Sequence, residues 1–406
     1  MTLSALHNVQ ENLWPVALPE VQENVWPVAL PEVVVIIVGF GNAADIVDCL
    51  RALSRTQHGP RFEVFIAENG GPEALKALVD ALMGPESPCQ HLRDERTSIH
   101  QSPMAEAMIF SLPRADRSDD ALVHIARMSE NLGYAGGINA WLRPLLDLPG
   151  WHAAWILNPD TEPTPTALFE LADYAKRSKK GMVGSRIISP TMRGDGHLCG
   201  LRWRKITSRT VSVDHPAIAI FFGAPSDMEA LMDAPDGASI YVTRELIERI
   251  GLMDERYFLY YEDLEWGFRA KAQGELGYAH RSRVPHKGGT TIGSSPNRAT
   301  RAPLAVYMEF RNRILFVRDQ YPTWLRWTLL IQLAHVASYL LAGSLNNMVA
   351  ASRGLLAGLR GESGKPIEFL RTLEAPTARS LRPASFPKFP ARAPVSMISA
   401  RPAAQR

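Results

Sequence analysis

The feature that most constrains the fold is an alternation of strand-like and helix-like segments that begins at residue 33. The run "VVVIIVGF" (33–40) is continuously apolar and β-branched, which is typical of a strand buried on both faces of a parallel sheet. The next segment, "NAADIVDCLRALSRT" (42–56), has its apolar residues at helical spacing. The alternation continues with strands predicted at 61–67, 121–127 and 153–158 and helices at 72–82 and 164–178. It predicts an α/β fold with an open, mostly parallel sheet and helices on both faces.

Composition divides the rest of the chain. Residues 1–32 form an N-terminal arm that contains a tandem repeat of twelve residues, "VQENLWPVALPE" followed by "VQENVWPVALPE". Within a main domain at 33–300, residues 83–120 are rich in Pro, Ser and mixed charge, which predicts an insertion or long loop. We expect a C-terminal helical region at 301–373 and a disordered basic tail at 374–406.

Several classes of protein are disfavoured by composition. The formal charge of +2 is almost balanced, so nothing points to nucleic acid as a partner. Three cysteines stand singly, which argues against a disulfide framework and a zinc site and favours a reducing compartment. The N-terminus lacks the pattern of an export signal, so we expect a cytoplasmic protein.

The stretch "WLRWTLLIQLAHVASYLLAG" (324–343) is long and apolar enough to raise the question of a membrane span. Thr328, Gln332 and His335 recur at helical spacing and form a polar stripe, so a buried or membrane-surface helix fits better than a span. Together with the basic tail, this stretch predicts peripheral contact with the inner face of the cell membrane.

Polar residues follow the predicted strands at the edge where open parallel sheets bind ligands. Glu68 and Asn69 come directly after the second strand, and Asp160 comes two residues after the fourth, in "ILNPDTEPTP". A carboxylate in that position can hold a divalent cation, although a turn or helix cap is the plainer explanation. His286, in "VPHKGGTT", can complete such a site, although a lone histidine more often has a structural role.

Two further stretches carry candidate chemistry. In "ENLGYAGGIN" (130–139), glycines between a strand and a helix allow the backbone to approach an anion such as a diphosphate, and a simple loop is the alternative. In "YFLYYEDLEWGF" (257–268), three carboxylates stand within a run of aromatic residues. Carboxylates are rarely buried without a partner, so this composition favours a functional site.

In this order, the segments from 33 to about 363 resemble glycosyltransferase family 2, in its bacterial rhamnosyltransferase-like branch. The ED-containing block at 236–274 is the most specific part of the resemblance, and the domain of that family is a Rossmann-like α/β sheet. It implies a GT-A fold that binds a nucleotide-sugar, a dTDP- or UDP-sugar, at the strand ends. It implies a hexosyltransferase that moves a sugar, such as rhamnose, to a glycan or lipid-linked glycan acceptor with inversion, in bacterial polysaccharide synthesis.

The resemblance also implies roles for individual residues. Asp263 matches the general base of the ED motif, and Asp160 and His286 match residues that contact a divalent metal, Mn²⁺ or Mg²⁺. The donor-binding positions are Glu68, Asn69, Asn131, Gly136, Gly137, Asn139 and Asn158. The acceptor-binding positions are Asp236, Glu262, Glu265, Trp266 and Arg269, with Trp266 stacking on a sugar ring. Alternatively, Glu262 and Glu265 hold Arg269, an i, i+4 neighbour of Glu265, or simply favour a helix N-terminus.

Two departures from the family pattern keep a second hypothesis open. Glu68 stands where the family usually has Asp, and Asn158 leaves the metal-binding motif with one carboxylate instead of two. The alternative is a catalytically silent relative that binds nucleotide-sugar or glycan within an assembly complex. A nucleotidyltransferase fits less well, because "GFGNAAD" is a poor match to a triphosphate-binding loop.

Overall fold

The computed structural model describes residues 30–92, 102–189, 197–214, 225–288 and 300–374. Its strands are β1 Val33–Gly39, β2 Phe62–Glu68, β3 His91–Leu92, β4 Met104–Leu112, β5 Ala121–Met128, β6 Ala153–Leu157, β7 Met182–Ile188, β8 His197–Arg204, β9 Arg209–Asp214, β10 Ser239–Thr243 and β11 Leu276–Pro285. Its α-helices are α1 Ala43–Leu53, α2 Pro72–Met83, α3 Gly133–Leu146, α4 Ala167–Ser178, α5 Pro225–Leu231, α6 Arg244–Ile250, α7 Glu262–Ala272, α8 Pro303–Gln320, α9 Leu325–Leu341, α10 Leu345–Arg360 and α11 Ile367–Glu374.

One mixed sheet carries all the described strands, in the order β3-β4-β5-β2-β1-β6-β10-β7-β8-β9, with β11 beside β7. The centre, β5-β2-β1-β6, is parallel, and the flanking pairs except β7–β11 are antiparallel. Parallel neighbours end at the same edge, so the carboxyl ends of β1, β2 and β6 meet there.

Helices cover both faces of this sheet, as the sequence predicted. All seven residues of β1 are buried, and they alternate between two hydrophobic cores. Val34, Ile36 and Val38 join the core under α3, while Val33, Val35 and Ile37 join the core under α1, α2 and α4. The predicted α/β class with a C-terminal helical extension is confirmed.

The structure differs from the sequence prediction inside 83–120. Met104–Leu112 is a strand, β4, that pairs antiparallel with β5, and His91–Leu92 pairs in turn with β4. Four consecutive residues of β4 are only half-buried, so its sequence lacks the continuous apolar run that marks the central strands. Pro, Ser and charged residues on both sides of β4 therefore concealed a strand next to the edge of the sheet.

Both chain ends fall largely outside the described residues, including most of the predicted arm and all of the tail from 375 onward. Where the arm enters the structure, Leu30 is buried and the Glu32 carbonyl accepts a hydrogen bond from the His152 amide. The chain divides into two compact units, 1–366 and 367–406, and every candidate site residue belongs to the first. None of the helices described is long and apolar enough to cross a bilayer.

Candidate active site

Asp263 lies in the first turn of α7, at the end of a backbone segment of unusual conformation. Phe258, Tyr260 and Tyr261 all have positive φ, of 61°, 66° and 78°. Bulky residues avoid this region, so the surrounding structure must hold the segment in place. The Asp263 Oδ1 accepts a hydrogen bond from the Leu264 amide at 2.7 Å. A Cβ at Gly237 would stand 2.7 Å from Asp263 Oδ2, so a larger residue there would displace the carboxylate.

The environment of Asp263 suits a base. Burial raises its pKa from 3.8 to about 6, a hydrogen bond from the Leu264 amide opposes that rise, and the charge of Asp236 adds to it. The pKa of Glu262 is also raised, by burial and then by the charge of Asp263, and its Oε2 atom is buried without a hydrogen-bond partner. Two adjacent acids therefore share a dry site in which ionising both is costly.

A pair of buried side chains on α8 holds the positive-φ segment. The Asn312 amide donates to the carbonyls of Tyr257, Leu259 and Tyr260 at 2.9, 2.8 and 2.8 Å. The Arg311 Nη2 atom donates to the Tyr257 carbonyl at 3.0 Å, and the side chains of Arg311 and Asn312 are 1% and 0% exposed. These bonds fix the turn from which Asp263 projects. Residues fifty positions away supply them, so the ED motif alone could not have revealed them.

Asp160 and His286 are brought together as predicted. Asp160 follows β6 and His286 follows β11, and their Oδ1 and Nε2 atoms are 3.1 Å apart. The Gly288 amide donates to Asp160 Oδ2 at 3.2 Å. Burial lowers the pKa of His286, but the Asp160 hydrogen bond and the charges of Asp160 and Asp236 outweigh it and leave the pKa raised.

Tyr134 is a site residue that the sequence reading missed. Its hydroxyl lies 2.8 Å from Asn158 Oδ1 and 3.0 Å from the Gly237 carbonyl. Burial raises its pKa well above the ordinary value, and four carboxylates raise it further: Glu262, Asp263, Asp236 and Asp160. The hydroxyl thus stands among the acids of both candidate motifs. The sequence signal for this role was the position of Tyr134 within "GYAGG", beside the glycines of the predicted donor loop.

The start of α3 is built against the positive-φ segment. Gly133 has φ +75°, and a Cβ there would stand 2.2 Å from the Phe258 carbonyl oxygen. The Tyr134 amide donates to that same carbonyl at 2.7 Å. The predicted donor loop and the predicted base loop are therefore one connected structure, and Gly133 is required by both conformation and space.

The other predicted donor residues are mostly engaged within the protein. Asn131 caps the Gly133 amide at 2.9 Å, and the Asn69 amide donates to the Gly133 carbonyl at 2.9 Å. A Cβ at Gly137 would meet Val38 at 2.9 Å, so this glycine lets α3 pack closely on β1, and a Cβ at Gly136 would meet Leu132 at 2.8 Å. Their predicted contacts with a donor stay predictions.

Glu68 lies at the end of β2, at the predicted ligand edge. Its Oε1 atom accepts hydrogen bonds from the amides of Gly41 and Gly70 at 3.1 and 2.7 Å. Its Oε2 atom is buried and has no hydrogen-bond partner, and burial raises the pKa of the carboxyl. An acceptor without a partner is costly, and an N–H of a nucleobase would satisfy it. The predicted role in reading the base stays open.

The role assigned to Trp266 needs correction, while Asn139, Glu265 and Arg269 are engaged within the protein, the last two with each other as the alternative had it. Trp266 is 0% exposed and its indole donates to the Gly251 carbonyl at 2.9 Å, so it packs in the core and cannot stack on a sugar. Asn139 is 1% exposed and donates to the Met253 carbonyl and to Glu255 Oε1, both at 2.8 Å, so its side chain is engaged inside the protein. Glu265 pairs with Arg269 at 2.8 Å, and Arg269 also donates to the Leu252 carbonyl at 2.8 Å. Helix periodicity places all four side chains on the inner sides of their helices. Their closeness in sequence to predicted site motifs had suggested roles at the site instead.

The residues present suit a divalent cation at the strand edge. Carboxylate and imidazole, from Asp160 and His286, are donors that Mn²⁺ accepts. The four carboxylates around Tyr134 leave an excess of negative charge there, which a cation would offset. Among the described residues no group of three or more His, Cys, Asp or Glu side chains is arranged as a complete metal site. The protein therefore supplies a partial ligand set, which a diphosphate and water can complete.

Comparison with known proteins adds two relatives. The chain is 25% identical over 265 residues to a low-salt glycan biosynthesis hexosyltransferase of Haloferax volcanii, which covers 60% of this chain and 78% of the relative. It is 25% identical over 292 residues to the N-acetylglucosaminyl-diphospho-decaprenol L-rhamnosyltransferase of Mycobacterium tuberculosis, which covers 66% of this chain and 88% of the relative. The chain is thus similar to two glycosyltransferases over 60–66% of its length.

No family model matches this chain. A mannosyltransferase of Pyrobaculum calidifontis, solved with GDP-Man and Mn²⁺, aligns with 87% of the chain at a TM-score of 0.41 and 14% identity. The two relatives, both named as glycosyltransferases, support a transferase activity for this chain.

Proposed function

We propose that the protein is an inverting, divalent-metal-dependent glycosyltransferase that extends a glycan or lipid-linked glycan in bacterial polysaccharide synthesis. The donor is a nucleotide-sugar, either dTDP-rhamnose or a UDP-hexose. The observation that carries the proposal is the setting of Asp263, a buried carboxylate with a pKa of about 6 on a turn held by α8. The rhamnosyltransferase relative supports a lipid-linked acceptor.

The chemistry follows from the groups at the site. An acceptor hydroxyl attacks the anomeric carbon of the donor sugar, its proton passes to an Asp263 oxygen, and the bond to the diphosphate breaks. A single displacement inverts the anomeric configuration, so no covalent sugar–enzyme intermediate forms. A divalent cation held by Asp160 and His286 would offset the charge that develops on the leaving diphosphate. The Tyr134 hydroxyl contacts both Asn158 and the Gly237 carbonyl, and so holds these two groups in place between Asp160 and Asp263.

A donor panel tests this proposal. Purified protein is mixed with dTDP-rhamnose and a set of UDP- and GDP-sugars, with Mn²⁺, with Mg²⁺ or with EDTA, and nucleotide release is measured. We expect metal-dependent release from one donor class. Asp263→Asn is expected to slow transfer at least about a hundredfold, because it removes the base. A wild-type rate in that variant would contradict the assignment.

The same donor panel tests the alternative hypothesis, a catalytically silent relative that only binds its ligand. A protein of that kind would bind a donor, which calorimetry detects, but would release no nucleotide with any acceptor extract. If the acceptor is lipid-linked, the enzyme works at the cytoplasmic face of the membrane, from solution or in peripheral contact with it.

A further inference from the structure

Helix α9 is turned with its polar stripe toward the protein. Thr328 and Gln332 are both 0% exposed. The Thr328 hydroxyl lies 2.8 Å from the Ser208 hydroxyl, and the Gln332 amide donates to the Phe310 carbonyl at 3.1 Å. The polar residues that argued against a membrane span are therefore used to attach α9 to its own fold.

The opposite face of α9 presents large apolar side chains to solvent. Trp327, Leu330, Leu333 and Leu341 are 43%, 60%, 55% and 89% exposed. Positions 327, 330, 334, 337 and 341 recur at helical spacing and all are exposed, so the apolar residues form one continuous stripe. Single exposed leucines are ordinary, but a stripe along a whole helix marks an interaction surface.

A basic hairpin touches the amino end of this stripe. We use that name for residues 202–209, the ends of β8 and β9 with their turn. The Trp327 indole donates to the Ile206 carbonyl at 2.7 Å, and the Lys205 ammonium lies 4.4 Å from the centre of the Tyr321 ring. Ile206 is 70% exposed at the tip, and four exposed cations surround it: Arg202, Arg204, Lys205 and Arg209.

Charge decides which partner this surface fits. The sequence has no Asp or Glu between Asp319 and Glu362, nor anywhere from 198 to 213, while Arg326 adds another exposed cation beside the hairpin. The exposed charged side chains of α9 and the hairpin are therefore all positive. Asp233 and Glu309 reach this region from other elements, but both are only partly exposed and are paired, Asp233 with Lys271 and Glu309 with Arg301 and Arg313. A second copy of the chain, docked through the same surface, would bring these cations together without carboxylates to pair with them. An anionic lipid surface offers both the apolar boundary and the phosphates.

We propose that the apolar stripe of α9 and the basic hairpin dock the protein on a bilayer that contains anionic phospholipid. Trp327, Leu330, Leu333 and Ile206 enter the boundary between headgroups and acyl chains, while the hairpin cations contact lipid phosphates. The partner is the bilayer itself, and the docking does not depend on a donor or an acceptor.

Vesicle flotation of the full-length chain tests the proposal. Vesicles of pure phosphatidylcholine are compared with vesicles that also contain phosphatidylglycerol, without any nucleotide-sugar. We expect binding to the anionic vesicles that weakens with added salt. Replacing Arg204 and Lys205 by Gln is expected to weaken it about fivefold per residue. Leu330→Glu together with Ile206→Glu is expected to abolish it.

Met83→Glu is the matched control, because Met83 is an equally exposed apolar residue, 63% exposed, on α2. The basic tail is present in every variant, so its contribution is constant. Equal binding of the wild type and the double glutamate variant would overturn the proposal. The proposal would also be overturned if light scattering without vesicles showed that the wild type is a dimer and the double glutamate variant a monomer. Donor hydrolysis, measured in parallel, is expected to be unchanged in these variants, which separates failure of docking from failure of the proposed activity.

Discussion

At the scale of single residues, the site places ionisable groups where ionisation is unfavourable. Glu262 and Asp263 are adjacent, buried and mutually repelling, and the charge of Asp236 acts on Asp263 as well. If Glu262 and Asp263 served only to stabilise the N-terminus of α7, we would expect them to face solvent. Acids held in a dry site cost stability, and such a cost is typical of functional groups.

The first prediction concerns stability. The folded-state pKa of Asp263, about 6, exceeds the ordinary 3.8, so ionised Asp263 destabilises the folded state above pH 6. Asp263→Asn is expected to raise the free energy of unfolding by about 1–3 kcal/mol at pH 7.5. The gain develops between pH 3.8 and about 6 and is small at pH 3, where the carboxyl is mostly protonated in both states. Urea unfolding at the two pH values measures it, and a loss of stability at pH 7.5 would mean that Asp263 is a structural residue.

A second prediction concerns the pH dependence of the rate. A base works only when it is ionised, so kcat/KM is expected to fall about tenfold per pH unit below pH 6 and to level off above it. Initial rates between pH 5 and 8, with the fold checked by circular dichroism, give the profile. A profile that is flat through pH 6 would exclude Asp263 as the group that takes the proton.

At the scale of elements, α8 is a support for the site. Its Arg311 and Asn312 donate to carbonyls of the segment before α7, and the same segment accepts a hydrogen bond from the start of α3. Helices that are far apart in sequence thus fix one turn of three left-handed residues. Without that support the turn would relax toward a common conformation and move Asp263.

We expect Asn312→Ala to lower kcat at least about tenfold while the KM for the donor stays within about threefold, since small displacements of a catalytic group cost rate. Unpaired carbonyls are also expected to lower stability by roughly 1–3 kcal/mol. Steady-state kinetics well below the melting temperature separates the two effects. Asn346→Ala is the control, because Asn346 is exposed on α10. An unchanged kcat in a folded Asn312→Ala protein would show that the turn holds without this clamp.

At the scale of the whole molecule, an almost neutral chain carries two regions of opposite charge. The balance of 44 basic and 42 acidic residues gives only +2. Yet four carboxylates surround Tyr134 at the site, and four exposed cations surround Ile206 on the hairpin. Net charge is therefore a poor guide to partners here, and the distribution of charge on the folded chain decides them.

The compact units predict the effect of a truncation. A chain that ends at Pro366 retains the first unit with every candidate site residue. It is expected to melt within about 3 °C of the full chain and to release nucleotide at the same rate, because folded units tolerate removal of separate segments. Thermal unfolding and the donor panel measure both. A tenfold loss of rate would mean that residues 367–406 contribute to the site.

The sequence by itself determined the central strands and helices, because periodicity and burial are local properties that β1 and α1 carry in their own residues. It also singled out Asp263, Asp160 and His286, the last two of which meet as predicted. Only the tertiary structure decided that Trp266 is core, that Tyr134 joins the two motifs, and that α9 turns its apolar stripe outward. Each of these depends on contacts between residues far apart in the chain, which local patterns do not record.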